Sequence, residues 1–179
     1  MAFYYAQANP FLVELKVGNP TGLMTIGQAS EVVMMLLLPF FFKRFGFKMT
    51  LLVGMLAWVL RYLLFAYGHG GEGIYALIVG IALHGICYDF FFVSGQIYTD
   101  SKAGENIKSA AQGLITLATY GLGMLIGFWI TGKITDNNLI SEGVHNWENV
   151  WRFPALFAVG VMVFFFIFFK NEKIEYVKT

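Results

Sequence analysis

Charge and cysteine are what this sequence has least of. Only 13% of its 179 residues are charged while 58% are hydrophobic, and mean hydropathy is +0.64. A water-soluble domain needs more polar surface than that, so the composition excludes one and describes a membrane protein. The single cysteine, Cys87, lies inside an apolar run, which excludes an intrachain disulfide and a Cys-x-x-Cys metal or redox site. The opening stretch "MAFYYAQANPFLVEL" lacks the basic region of a secretory signal peptide, and none is expected. Twelve basic and eleven acidic residues nearly cancel, and nothing suggests a nucleic-acid surface. The chain also lacks a nucleophile and base pair, a phosphate loop and a metal-ligand cluster, so we expect no enzyme, no cofactor and no metal.

What is present is a series of long apolar runs. A spanning helix needs about 20 largely apolar residues at about 1.5 Å each. Five stretches meet that test, roughly 23–42, 49–67, 74–99, 110–134 and 151–169. Residues 1–15 are apolar and aromatic but shorter, like a helix whose start is missing, so the chain is expected to be incomplete. The fold class expected is all-α, a polytopic membrane bundle of six helices with a truncated first one.

The connections alternate in charge. Lys43, Arg44, Lys48, Lys102, Lys108, Lys170, Lys173 and Lys178 fall on one side, against Lys16, Lys133 and Arg152 on the other. The positive-inside rule then puts 43–48, 100–109 and the C-terminus in the cytoplasm. "GHGGEG" (68–73) and "DNNLISEGVHNWENV" (136–150) become external turns.

Eight polar residues interrupt the spans or the short first segment: Gln7, Asn9, Gln28, Glu31, Arg61, His84, Asp89 and Gln96. Such residues face a bundle interior or a water-filled cavity by default, because an ionised carboxylate at the bilayer centre costs about 3 kcal/mol on insertion scales. Gln28 and Glu31, three residues apart, project from one helix face at mid-membrane depth. Asp89 lies about 4 Å from the midpoint of its span at 1.5 Å per residue, with Gln96 two turns along the same face. His84 and Tyr88 form an adjacent stripe, and Gly85 leaves room for a ligand or a neighbouring helix.

Amides would serve a purely structural role as well as acids, so Glu31 and Asp89 are the functional candidates, while Gln28, Gln96 and His84 could equally be satisfied packing residues. Arg61 has the length to snorkel outward, from about 9 Å below the external end. Asn9-Pro10 interrupts the first segment, either as a broken helix of the kind that marks transporter sites or as an ordinary kink. Gly113, Gly121, Gly123, Gly127 and Gly132 thin one side of 110–134, with Gly123 and Gly127 at a spacing that permits close helix approach.

Six spans with a basic loop between the second and third match one half of a major facilitator transporter. In detail, "GQASEV" (27–32), "LPFFFKRFGFK" (38–48), "LAWVLRYLLFAYG" (56–68), "HGICYDFFFVSG" (84–95), "SAAQG" (109–113), "GLGMLIGFWITGK" (121–133) and "NWENVWRFPA" (146–155) resemble the C-terminal half of the bacterial nucleoside:proton symporter family, the nucleoside permeases. The similarity runs through nearly the whole chain. It implies that Gln28 and Glu31 contact nucleoside, that Asp89 is the family's essential aspartate and that Tyr88 stacks on the base. Asn9 matches a family asparagine, although the glutamine expected three residues before it falls on Ala6, with Gln7 displaced by one. His84 stands where the family has a tyrosine.

The function expected from these residues and this resemblance is proton-coupled nucleoside uptake across the bacterial inner membrane, with nucleoside, proton and bilayer as partners and a second, N-terminal six-helix half absent from this chain. Substrate would bind at Asn9, Gln28, Glu31, His84, Tyr88 and Asp89. Burial disfavours a carboxylate's charged form, which makes Asp89 or Glu31 the candidate proton carrier. Two rival readings are transport of another solute, such as a sugar, and a non-transporting membrane subunit or fragment. A homodimer of halves is a further arrangement.

Overall fold

Why the 179-residue chain reverses direction where it does follows from a few backbone positions. A computed structural model describes residues 1–170. Lys173, Lys178 and Thr179, part of the expected cytoplasmic tail, lie outside the described residues. Five helical tracts run in sequence: α1 (Ala2–Glu14), α2 (Pro20–Tyr67), α3 (Gly71–Lys102), α4 (Glu105–Asn137) and α5 (Trp147–Phe168). All but α1 are long and apolar enough to cross a membrane.

The 48-residue α2 is two helices joined at Gly46, whose φ of +76° is open to glycine and strained for any residue with a Cβ. Contacts with α3 establish that its two arms are antiparallel. In the first arm, 20–45, Gly27, Ser30 and Phe41 meet His84, Gly85 and Phe90 in ascending order. In the second, 47–67, Gly54, Trp58 and Arg61 meet Phe90, Cys87 and His84 in descending order. The expected spans 23–42 and 49–67 are therefore separate, with Gly46 as the whole of the turn, and the bundle has six helices among the described residues.

Asn19 starts α2: its side chain accepts from the Gly22 amide at 3.0 Å, and Pro20 occupies the first helical position, where a missing N–H costs nothing. The chain ends pair off consistently with alternation. At one end Lys48 Nζ donates to the Phe166 and Phe169 carbonyls and Asp100 meets Lys108 at 3.7 Å. At the other, Glu14 accepts from the backbone N–H and Nδ1 of His145, at 2.7 and 2.8 Å, and Arg152 donates to the Tyr67 hydroxyl. A short antiparallel hairpin, Leu139–Ser141 with Val144–His145, lies within the expected turn 136–150.

The core is aromatic and sits where α1, the second arm of α2 and α5 converge. Phe65 packs on Trp151 with centroids 5.0 Å apart, Phe11 on Trp151 at 5.4 Å, and Tyr62 on Trp151 at 5.9 Å. Lipid tails are as apolar as these side chains, so close packing rather than transfer from water holds such helices together, each ring pair contributing about 0.5–1.5 kcal/mol.

Two open points of the sequence are decided here. Of the two alternatives at Asn9-Pro10, α1 shows no break: the helix runs through Pro10 to Glu14. A proline removes one intrahelical bond, and neighbouring helices hold the rest in place, so a kink-tolerant membrane helix needs no break. Of the α4 glycines, Gly127 alone marks a close approach to another helix, since a Cβ there would lie 2.6 Å from the Ala2 Cβ, whereas Gly113 and Gly132 face open space.

Candidate functional site

The polar residues gather where the first arm of α2, α3 and α1 come together. Two glycines allow it. A Cβ at Gly27 would lie 3.2 Å from the His84 Cβ, and one at Gly85 would collide with the Ser30 backbone. Ser30 Oγ accepts from the Gly85 amide at 3.1 Å and donates to the Ala82 carbonyl, tying the two helices at two points one turn apart. Gly85 therefore makes room for a helix, not for a ligand.

That contact brings Glu31, the next residue, against α3. Its Oε2 is 3.7 Å from His84 Nε2. His84 is 1% exposed and lies among aromatic rings: Tyr4 stacks on it at 4.8 Å, Tyr5 meets it edge-on at 6.2 Å, and Tyr88 is 6.0 Å along its own helix. On its other side Arg61 Nη1 donates to Nδ1 at 2.9 Å.

Arg61 does not snorkel outward. It is fully buried, with its guanidinium carbon 3.4 Å from the Tyr4 ring centroid and further rings of Phe65 and Trp58 at 5.5 and 5.7 Å. A desolvated cation over aromatic faces gains about 2 kcal/mol, and the His84 acceptor adds to that, so the interior competes with the interface for this side chain.

Asp89 is fully enclosed, and neither carboxylate oxygen accepts a hydrogen bond from any described protein group. The charged neighbour acting on it through space is Glu31. Asp89 opens a π-helical turn, Asp89–Val93, and the Ser94 hydroxyl donates to its carbonyl at 3.0 Å. Such a turn inserts one extra residue and rotates everything after it by about 100°. Gln96 therefore leaves the face of Asp89. It lines a separate, mostly apolar cavity of about 350 Å³ with Phe92, Ile115, Tyr120 and Phe165, and its carbonyl accepts from Gln112 at 2.8 Å.

The remaining candidates are placed as follows. Gln28 is exposed on the same stripe as Glu31, in a shallow depression shared with Val32, Met35 and Leu36. Asn9 Nδ2 reaches Thr21 Oγ1 at 3.5 Å and Met24 Sδ at 3.8 Å, so it faces the first arm of α2 near its start rather than His84. Gln7 is half-buried on α1. Tyr88 is half-buried, and its hydroxyl accepts from that of Tyr120 at 2.7 Å.

The sequence reading missed Tyr120 and underrated Arg61. Tyr120 lies in a second π-helical turn, Leu117–Gly123, and its ring also packs on Phe92 at 5.8 Å. The signal available for it was the one tyrosine of the span 110–134. Together Glu31, His84, Tyr88, Tyr5 and Tyr120 form one cluster of a carboxylate, an imidazole and three phenol rings, with His84 buried within it. Acceptors and flat rings at mid-membrane suit a polar, planar solute, and two neighbouring acids suit a proton. Among the described residues no group of three or more metal-ligating side chains occurs.

Comparison with known proteins gives the family of the chain. The candidate nucleoside transporter YegT of Escherichia coli is 43% identical over 98% of the chain, and the xanthosine permease of the same organism is 34% identical over 97%. The chain spans 43% and 42% of the length of those two relatives. The crystal structure of the nucleoside transporter NupG superposes with a TM-score of 0.77 at 32% identity, over 84% of this chain and 37% of NupG. NupG is also a protein of Escherichia coli. The profile of the family described as "Nucleoside H+ symporter" matches residues 1–174, and the chain belongs to that family.

Proposed function

We propose that this bundle is the C-terminal half of a proton-coupled nucleoside transporter of the bacterial inner membrane, working by alternating access against a second six-helix half. The relatives named above are more than twice as long as the stretch they share with this chain, which supports a second half. The observation that carries the reading is the enclosed, unpartnered carboxylate of Asp89, next in sequence to Tyr88 and within electrostatic reach of Glu31. An unpaired charge is costly to bury, so this arrangement suits an acid that is neutral while enclosed and ionises when the cavity opens to water.

In this reading nucleoside binds against Gln28, Glu31 and Tyr88, with Tyr88 stacking on the base and Glu31 accepting from ribose hydroxyls, while the buried His84 backs Glu31 and Asn9 is turned to the start of α2. Asp89, with Glu31 as the alternative, takes a proton from outside and releases it inside. Proton and substrate favour the same conformational state, which couples their movement. The basic ends around Lys43 and Lys102, and the C-terminus, lie in the cytoplasm.

The test is uptake of radiolabelled nucleoside by vesicles carrying the full-length transporter, with an imposed pH gradient and competing nucleosides or sugars. Accumulation that follows the gradient and is blocked by unlabelled nucleoside supports the reading. Competition by a sugar alone would replace it with transport of another solute, and no uptake at all would favour a non-transporting subunit.

A further inference from the structure

The geometry points to Arg61 as a positioning residue of this site: it locks His84 in the neutral tautomer with its proton on Nε2, so that this N–H is turned toward Glu31. This rests on the transport reading for its consequence, but not for its chemistry. A guanidinium carries only donors, so the 2.9 Å contact from Arg61 Nη1 requires a bare lone pair on His84 Nδ1. The proton of the neutral ring is then on Nε2, the nitrogen 3.7 Å from Glu31 Oε2. A doubly protonated ring would set an N–H against an N–H and one cation against another. His84 is thus excluded as a proton carrier while Arg61 is in place.

The surroundings hold the device rigid. Arg61 is stacked on Tyr4, and the Tyr4 ring also stacks on His84, so one aromatic side chain orients both partners. The titratable or charged groups facing His84 are Arg61 from the second arm of α2, Glu31 from the first arm, Tyr4 and Tyr5 from α1, and Tyr88 from its own helix. Glu31 is the one carboxylate among them, and it faces the nitrogen that bears the proton. The candidate site therefore holds an N–H of fixed direction turned toward the one acid among these neighbours.

The experiment is nitrogen NMR of the full-length transporter labelled at imidazole nitrogen, with the His84 signals assigned by their loss in His84→Gln. We expect an unprotonated Nδ1 and a protonated Nε2 that do not titrate between about pH 5 and 8, the range in which a free imidazole changes charge. A proton on Nδ1, or an imidazolium in that range, overturns the proposal. In Arg61→Met, which keeps the bulk and removes the donors, the ring should be free to populate the other tautomer, seen as a proton appearing on Nδ1, and Arg61→Lys, which keeps a donor, should keep the wild-type signals. If Arg61→Met does not fold, the wild-type tautomer decides alone. If the wild-type protein does not transport nucleoside, the functional reading fails while the tautomer result still stands or falls by itself.

Discussion

Gly85 rests directly on the backbone of Ser30: a Cβ at Gly85 would lie only 2.4 Å from the Ser30 carbonyl oxygen, and the Gly85 amide donates to the Ser30 hydroxyl at 3.1 Å. This contact sets the distance between Glu31 on one helix and His84 on the other. Backbone cannot give way as the end of a flexible side chain can, so Gly85→Ala should force the helices apart. We expect a loss of about 1–3 kcal/mol, the usual cost of overpacking, read as a lower melting temperature of the full-length protein in detergent. Gly113→Ala, with nothing within 4 Å, is the control and should leave melting unchanged.

Tyr120 holds Tyr88 through one hydroxyl bond. Removing the donor in Tyr120→Phe leaves the ring in place and frees the Tyr88 phenol to rotate. A part-buried neutral hydrogen bond contributes about 0.5–1.5 kcal/mol, so the KM for nucleoside should rise by roughly two- to tenfold with little change in maximal rate. An unchanged KM would mean that Tyr88 is held by Phe92 and His84 alone, or does not touch substrate.

Much of the fold was legible because membrane spans announce themselves by length, and the charges of the turns by their alternation. The site was legible in part. Glu31, His84, Tyr88 and Asp89 stood out because polar groups are costly in lipid, and the structure brings Glu31 and Tyr88 together around the buried His84. The direction of Arg61 was not legible, since a long basic side chain near a membrane end has two outlets and only the rings of Tyr4, Phe65 and Trp58 decide between them. Nor was the separation of Gln96 from Asp89, because ordinary helical spacing puts them on one face and the π-helical turn between them leaves no sequence period of its own. The turn at Gly46 is the opposite case: a glycine between basic residues was readable as a loop, though not as a reversal made by one residue.

The orientation predicted from basic residues can be tested apart from transport. Single cysteines in a Cys87→Ser background, one replacing Arg44 and one replacing Glu142, should divide in their labelling by an impermeant maleimide applied to intact cells. Glu142, in the hairpin turn, should label from outside, and position 44 only after the membrane is opened. Labelling of position 44 in intact cells would invert the bundle.

Asp89→Asn is the most direct test of why an acid stands in this span. The amide keeps the shape of the carboxyl group, and because neither Asp89 oxygen has a hydrogen-bond partner among the described residues, no bond within the bundle is lost by the change. The fold should therefore survive, as equal expression and an unchanged melting temperature would show. What the amide cannot do is gain and lose a proton. In vesicles carrying the full-length transporter, the variant should fail to concentrate nucleoside when a pH gradient is imposed, while exchange of labelled for unlabelled nucleoside at equal pH on both sides persists. The two measurements separate a lost proton site from a lost binding site, because a binding defect would abolish exchange as well. If Asp89→Asn still accumulates nucleoside in response to the gradient, Asp89 is not the obligatory carrier. Glu31 then takes its place, since the arginine beside His84 leaves that ring no second proton to carry.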